Sequence, residues 1–380
     1  MIGVLGAGQL GRMLALAGHP LGESFTFLHP QESASVARLG DFVVAAYDDR
    51  ARLEELARRV RVVTYEFESV PAEPVRWLAD RVPVYPPPRA LEVSQDRLVE
   101  KTFFDELGIP TAAFARVDDE KSLALAVARI GLPAFLKMRH GGYDGKGQMR
   151  LQTPADVSTA WRTLGVRAGL HGPPPLILEK LVPFERELSI LAVRSIAGDV
   201  RVYPLVENHH RDGILRLSLA PAPSTTPALE SKAREYVDRI FAKLGYVGVL
   251  AIELFQCQGE LLANEMAPRV HNSGHFSIEG SQTSQFENHV RAISGLPLGE
   301  TSPVGVCAML NVIGGLVARE EVLAVPGTHL HLYGKEPKPG RKVGHITVRA
   351  TNRDELDQAL SRLRPMVEPS YGVLGASTRT

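Results

Sequence analysis

Two glutamates, Glu253 and Glu265, sit in apolar runs, VGVLAIELF and ELLANEMA, that flank a short turn around Gly259. Paired as a hairpin, the runs bring Glu253 within one residue of lying opposite Glu265, with both side chains on one face. Carboxylates so placed repel unless a cation or a proton sits between them. Magnesium shared with phosphate oxygens suits the pair, because that ion takes a few carboxylates plus substrate phosphates. Two exposed glutamates on an edge strand are the plainer alternative. A second segment, LKMRHGGYDGKGQ (Leu136 to Gln148), is the most glycine-dense stretch of the chain. Its glycines leave backbone N–H groups uncovered for phosphate oxygens and let the loop close over a nucleotide. It is not a P-loop: His140 stands where the earlier glycine belongs, and glycine rather than Ser or Thr follows Lys146. A surface hairpin is the competing reading.

After this hairpin, NEMAPRVHNSGH gathers Asn264, Glu265, Arg269, His271, Asn272 and His275 into one run. Loops at strand ends carry chemistry, and the fixed fork of Arg269 suits a phosphate or carboxylate. His275 alone reads as a satisfied turn residue. HLYGKEPKPGRKVGH sets Lys335, Lys338, Arg341 and Lys342 against Glu336. By itself this is a solvated charge run; beside a nucleotide site it supplies cations for the phosphate of a second substrate. Near the start, GAGQLG (Gly6 to Gly11) spells the dinucleotide fingerprint after an apolar run. That fingerprint needs an acid about 20 residues on; HPQES offers Gln31 there, with Glu32 as a loose substitute.

These groups need a frame. IGVLG, SFTFL and RVVTYE read as buried strands between helices, with ARLEELARRV placing Leu53, Leu56, Ala57 and Val60 on one face and its arginines in solvent. The alternation predicts a parallel, doubly wound sheet. VYPPPRAL closes it, since its prolines cannot continue a helix or a central strand. A helix is predicted from Gln95 to Leu107, then short strands AFLKMR and LILEK among helices, then long strands ELSILAVRS and VRVYPLVEN. A helix at ALESKAREYVDRIFAKLG, the glutamate hairpin, strands VCAMLNVIG and RKVGHITVRA and a helix at DELDQALSRLR follow. A chain of 380 residues exceeds one ordinary core, and the expected units are 1–93, 94–183, 184–305 and 306–380. The 43 basic residues balance 43 acidic ones, which gives no support to a nucleic-acid or anionic-membrane partner. No apolar run is long enough to cross a bilayer. Cys257 and Cys307 read as reduced core residues, and the cytoplasm is the expected location.

Taken together, GQLGRMLALA, GGYDGKGQ, LGYVGVLAIELF, NEMAPRVHNSGH, SQFENHVRAISGLPLG and GRKVGH resemble the ATP-grasp ligases over essentially the whole chain. More narrowly they resemble the family of 5-(carboxyamino)imidazole ribonucleotide synthases. NEMAPRVHNSGH followed by SQFENHVRAI is the specific part; the glycine loop alone marks the superfamily. Met138 and His140 beside Arg139 depart from the small or basic residues expected there.

The resemblance implies an α/β and α+β architecture, an ATP-grasp fold with an N-terminal Rossmann-like domain and a small C-terminal domain. It implies ATP, bicarbonate and 5-aminoimidazole ribonucleotide as substrates, magnesium, a carboxyphosphate intermediate and a homodimer. By motif position, Arg97, Lys137 and the loop Gly142, Tyr143, Asp144, Gly145, Lys146, Gly147 and Gln148 are implied ATP contacts. Glu179 is implied to accept from the adenine amine, with Lys180, Leu181 and Val182 beside it. Glu187 matches a ribose ligand and His210 another nucleotide contact, while Asn264, Glu265 and Glu253 lie on the metal side. Gly8, Gln9, Leu10 and Glu66 are implied to line the ribonucleotide pocket with Tyr143, Arg269, His271, Asn272, Lys335, Arg341 and Lys342. Asp144 and Arg269 are the expected catalytic residues, Asp144 handling the amine proton. On this reading the N-terminal glycine turn serves a ribonucleotide and not NAD. Three rivals stand beside it: a formate-using phosphoribosylglycinamide formyltransferase of the same fold, an NAD-dependent oxidoreductase resting on GAGQLG alone, and a non-catalytic nucleotide sensor.

Overall fold

The computed structural model describes residues 1–141, 147–165 and 175–367. The expectations for Gly142, Tyr143, Asp144, Gly145 and Lys146 lie outside the described residues. At the start of the chain, β1 (Ile2–Leu5), β2 (Phe25–His29), β3 (Asp41–Val44) and β4 (Val62–Tyr65) form a parallel sheet in the order β3-β2-β1-β4. β1 and β4 are buried along their whole length, which continuous apolar runs require when helices cover both faces. The helices are α1 (Gln9–Gly18), α2 (Arg50–Arg59) and α3 (Ala72–Ala79). Leu53 and Leu56 of α2 face inward, while Arg52, Arg58 and Arg59 pair with Glu55, Glu54 and Asp41 outside. β3 has no counterpart in the sequence reading. It is a short edge strand with no fully buried residue, so it lacks the apolar run that marks the others.

The helix predicted from Gln95 to Leu107 is α5 (Arg97–Glu106), and it is preceded by α4 (Pro88–Ser94), which the sequence reading did not predict. Pro88 opens α4, at a position where its missing N–H costs nothing. Asp96 breaks the pair and caps α5, its carboxylate accepting from the Leu98 and Val99 amides at 2.9 and 3.4 Å. A second sheet, antiparallel, has β5 (Phe114–Val117), β6 (Ala134–Met138), β7 (Gln148–Leu151) and β8 (Leu176–Lys180) in the order β5-β8-β6-β7. Leu123 and Ala126 of α6 (Glu120–Ile130) and Ala160 of α7 (Pro154–Ala160) share its core.

The largest sheet contains β9 (Arg186–Arg194), β10 (Val200–Val202), β11 (Val206–Arg211), β12 (Ile214–Ala220), β13 (Gly248–Cys257), β14 (Glu260–Ala267), β15 (Val306–Ile313), β16 (Thr328–Leu332) and β17 (Lys342–Ala350). Its order is β14-β13-β9-β11-β12-β15-β17-β16, with β10 added on β9. The predicted strand VRVYPLVEN is thus two strands, parted at Pro204, which has no N–H to give a ladder. On one face lies α8 (Pro227–Leu244), whose Tyr236, Val237 and Ile240 join Leu188, Ile190, Leu250 and Ile252 in the main core. After the short α9 (Ser277–Gly280), α10 (Gln285–Ser294) packs between this sheet and α1, and so joins the large sheet to the parallel one. α11 (Arg319–Leu323) and α12 (Arg353–Val367) back β15 to β17. Those last strands extend the large sheet, so the expected division before residue 306 separates strands of one sheet. Cys307 is buried in β15, but Cys257 is half-buried at the end of β13, with Sγ 3.5 Å from the Pro183 carbonyl. It is not a core residue, because the strand runs out of apolar cover as it reaches the turn. Among the described residues no helix is long and apolar enough to cross a membrane.

Candidate functional site

The glutamate pair is set by a turn and a defect. Gln258 and Gly259, at φ 51° and 81°, close β13 onto β14 as a two-residue turn of left-handed residues. From it the ladder pairs Cys257 with Glu260, Gln256 with Leu261, Phe255 with Leu262 and Leu254 with Ala263, and then Glu253 with Glu265. Asn264 is therefore an inserted residue, a β-bulge, and two consecutive side chains, Asn264 and Glu265, reach the same cavity. The burial of β14 records the slip: Leu261 and Ala263 are buried, then Met266. Burial raises the Glu253 carboxyl, and repulsion from Glu265 adds to this, pushing it up to about 7 against the pull of His210. For Glu265 burial acts the same way, but Arg97, with Nη1 3.0 Å from Oε2, holds it below the ordinary carboxylate range.

α5 brings Arg97 there, and it also brings two charged residues that the sequence reading passed over. Glu100 accepts the Met266 amide at 2.8 Å and is held well above its ordinary value, by burial and then by Glu265. Lys101 is 2 % exposed, 3.4 Å from the Ala263 carbonyl and 3.7 Å from Glu179 Oε2. The same Glu179 oxygen accepts from Lys137 of β6 at 3.0 Å. Glu179 thus stands behind Lys137, and neither it nor Lys180, Leu181 or Val182 lines the cavity. In this geometry Glu179 Oε2 serves the two lysines, while Oε1 is buried without a protein partner. Lys180 turns its ammonium to the Leu132 carbonyl at 3.1 Å. Below the glycine loop, Arg139 grips Asp96 with both Nε and Nη2, and its carbonyl accepts the Arg97 amide at 3.1 Å. The base of the loop is therefore tied to the start of α5. Gly147 has φ 73°, and Gln148 begins β7 on the cavity wall.

Glu187 and His210 project from neighbouring strands, with Oε2 2.6 Å from Nδ1. Burial opposes a charge on His210, but Glu187 and Glu253 outweigh it and raise its pKa. Beside them Phe184 and Phe255 stack with centroids 4.7 Å apart and planes 5° from parallel. With Phe135 and Leu215 they form an apolar wall that the sequence reading missed, since isolated aromatics in strands carry no spacing signal.

On the other side, the glycine turn before α1 is already occupied. The Glu66 carboxylate accepts the Gly8 and Gly11 amides, the latter at 2.5 Å, and is only 2 % exposed. Those amides are the ones a bound pyrophosphate would need. The dinucleotide reading fails on this contact. Burial raises the Glu66 pKa; the two amides and Lys335 offset part of that. Gln9 and Leu10 line the cavity, with Lys335 donating to Gln9 Oε1 just behind them. Gly8 faces Glu66 and not the cavity. Lys342 lines the cavity, whereas Arg341 is exposed, turns to the Glu336 carbonyl at 3.4 Å and does not. Lys338 stays a surface residue, 3.8 Å from Glu336.

Arg269, His271 and Asn272 complete the wall. Arg269 pairs with Glu68 at 2.8 Å, a partner from the first sheet's loop that carries no sequence motif. His271 has Nε2 3.5 Å from Glu253, and burial, then Arg269, hold its pKa well below 6.5, so the ring is neutral. Both amide atoms of Asn272 are buried without a protein partner. His275 is apart from the cavity, packed against Phe286 and His345. All three sheets contribute to one cavity of about 1020 Å³, running from Gln9 and Glu66 past Glu253 and Glu265 to Lys137 and Phe184. Among the described residues no group of three or more His, Cys, Asp or Glu side chains is disposed to hold a metal. The donors on offer are Glu253, Glu265 and the Asn264 amide. This is a sparse oxygen set of the kind magnesium completes with phosphate oxygens, and burial, then repulsion from Glu265, disfavours the Glu253 charge in a way a bound cation would offset.

Comparison with known proteins agrees with this layout. Residues 1–95 match the ribonucleotide synthetase preATP-grasp domain, residues 102–286 the ATP-grasp domain, and residues 307–359 the phosphoribosylaminoimidazole carboxylase C-terminal domain. The chain is 52 % identical over 367 residues to the N5-carboxyaminoimidazole ribonucleotide synthase of Pseudomonas aeruginosa, covering 97 % of this chain and 99 % of that one. It is similar to the crystal structure of N5-carboxyaminoimidazole ribonucleotide synthetase from Thermus thermophilus, with a TM-score of 0.91, 54 % identity and 97 % and 98 % of the two chains covered. The N5-carboxyaminoimidazole synthase of Aspergillus clavatus, solved with ADP and 5-aminoimidazole ribonucleotide, matches at a TM-score of 0.87 and 32 % identity, covering 97 % and 98 %.

Proposed function

The chain belongs to the N5-carboxyaminoimidazole ribonucleotide synthase family of ATP-grasp enzymes, and we propose that its one long cavity holds the substrates of that reaction end to end. The reaction is the ATP-dependent carboxylation of 5-aminoimidazole ribonucleotide in purine biosynthesis, a carbon–nitrogen ligation. ATP takes the end at Lys137, Phe184 and Phe255, with its ribose toward Glu187 and His210. The imidazole nucleotide takes the end at Gln9 and Glu66, with Lys335 and Lys342 as cations for its phosphate. Glu253, Glu265 and Asn264 would hold magnesium where the two meet. When bound, that ion neutralises phosphate charge during transfer.

Bicarbonate is a poor electrophile, and transfer of the terminal phosphoryl group of ATP to one of its oxygens gives carboxyphosphate and ADP. Such a transfer asks the protein mainly for alignment and positive charge. Lys137 and Arg269 supply the charge from opposite ends of the cavity, and Arg97 fixes Glu265. Neutral His271 and unpartnered Asn272 offer hydrogen bonds to bicarbonate without adding charge. Carboxyphosphate then releases phosphate and carbon dioxide, and the imidazole's exocyclic amine attacks the carbon. Asp144, outside the described residues, is the proposed acceptor of the amine proton. Closure of the glycine loop on the Arg139–Asp96 base would keep water from the intermediate.

The continuity of the cavity from Lys137 to Glu66 carries this reading. The test is ADP formation with and without 5-aminoimidazole ribonucleotide and bicarbonate. Strong dependence on both is expected; stimulation by glycinamide ribonucleotide and formate instead would move the chain to the formyltransferase reading. The proposal extends to a homodimer in the cytoplasm, for which sedimentation of the pure enzyme is the check on assembly.

A further inference from the structure

Lys101 has no place in the reaction as described, yet few side chains in the molecule are more costly to bury. Its side chain is 2 % exposed, it does not line the cavity, and it pairs with Glu179 Oε2 at 3.7 Å. That oxygen is shared with Lys137, 3.0 Å away and 14 % exposed on the cavity side. Burial alone would raise the Glu179 pKa, but Lys101 first, then Lys137 and Arg97, pull it down to about 2. One carboxylate thus faces two ammonium groups, one deep and one at the cavity wall. A single negative charge cannot fully neutralise both, and the group with access to another anion is Lys137.

α5 arranges this. Arg97 and Lys101 lie one turn apart, so they share a face of the helix. Arg97 pairs with Glu265 on the metal-side wall and Lys101 with Glu179 behind the Lys137 wall. The helix start is fixed by Asp96, which also holds the base of the glycine loop through Arg139. The helix therefore sets one cation against each of two carboxylates, Glu265 on the cavity wall and the buried Glu179 behind Lys137.

We propose that Lys101 is a positioning residue for ATP: by sharing the Glu179 carboxylate from behind, it weakens that oxygen's hold on the Lys137 ammonium, 3.0 Å away, so that Lys137 can turn to the triphosphate instead of staying locked on Glu179. The inference rests on the reading of Lys137 as a phosphate contact. A purely architectural role is the competing account, because Lys101 also lies 3.4 Å from the Ala263 carbonyl on the outer edge of β14.

Steady-state kinetics of Lys101→Met, Lys101→Gln and Lys101→Arg separate the two. If Lys101 positions Lys137, the neutral variants raise KM for ATP roughly ten- to a hundredfold, the range one charge-assisted hydrogen bond carries. KM for 5-aminoimidazole ribonucleotide stays unchanged, kcat at saturating ATP changes far less, and Lys101→Arg recovers most of the loss. An architectural residue gives the opposite split, since lost folded enzyme lowers kcat and leaves KM for ATP alone. That result overturns the inference, as does failure of both neutral variants to fold. Lys137→Met is the control: if it leaves KM for ATP unchanged, the reading of Lys137 is wrong; if it raises KM while the neutral Lys101 variants do not, only the role of Lys101 is wrong.

Discussion

Replacing Glu253 by Gln should stabilise the metal-free protein while abolishing the reaction. The folded pKa of Glu253 is about 7 against an ordinary 4.5, raised by burial and by Glu265. Below pH 4.5 the side chain is protonated in both folded and unfolded chains and makes no difference. Between pH 4.5 and 7 the unfolded chain ionises while the folded one keeps its proton, so unfolding releases a proton and stability falls as pH rises. Each pH unit in that window is worth about 1.4 kcal/mol. The full interval would amount to about 3 kcal/mol by pH 8, and relaxation around the coupled pair with Glu265 reduces the expectation to about 2 kcal/mol. Gln fills the same volume and does not titrate. In chelator, the variant and the parent should therefore unfold at similar urea concentrations at pH 4.5 and diverge toward pH 8, the variant being the more stable. Saturating ATP and magnesium should narrow or reverse the gap, because ligand binding then favours the parent. Parallel pH profiles for the two proteins would show that Glu253 is not held under electrostatic strain, and the account of the carboxylate pair would fall with that.

Arg269→Ala should lower ligase turnover by about a hundredfold or more, as loss of charge stabilisation at a transferring group does, with the far-ultraviolet spectrum unchanged; unaltered turnover removes Arg269 from the mechanism. Gly6→Ala should be severely destabilising, because Gly6 has φ +124° and a Cβ there would lie 2.2 Å from Glu66 Cγ; a thermal melt within a degree or two of the parent would refute the packing described for the glycine turn. Four buried histidines, His271, His275, His289 and His345, are held neutral by burial, His289 at about 3. Their stabilisation is complete above pH 6.5 and lost as pH falls, at up to about 1.4 kcal/mol per unit for each; His289→Gln should flatten the acid limb of stability against pH, and an unchanged limb would count against a neutral ring.

The sequence made some of this legible for physical reasons. Glu253 and Glu265 stand out because acids inside apolar runs are conspicuous, and the turn at Gly259 sets their pairing to within one residue. The remaining slip could not be read, since a bulge follows from tertiary packing and leaves only a small change in burial phase. Glu100 and Lys101 were invisible for the opposite reason: on an amphipathic helix, charged neighbours look like a solvated face, and only the docking of α5 on the outer edge of β14 turns them inward. The GAGQLG turn was ambiguous because its amides suit any anion, and the anion proves to be Glu66, which no local spacing links to Gly8. Glu68, the partner of Arg269, was hidden in the same way. Pro88 was recognised as a breaker but begins a helix, whereas Pro204 was read through as part of one strand and in fact parts two; whether a proline ends an element or begins one depends on the residues it meets.

Were Asn264 deleted, Leu254 would still face Ala263, Glu253 would still face Glu265, and the hairpin would become a regular ladder from its turn onward. The sheet has no slot for this residue. A chain one position shorter would satisfy every architectural demand of that strand pair and would lose only a carboxamide at the mouth of the carboxylate pair. Asn264 is in that sense surplus to the ladder, and its side chain is spent on the cavity wall.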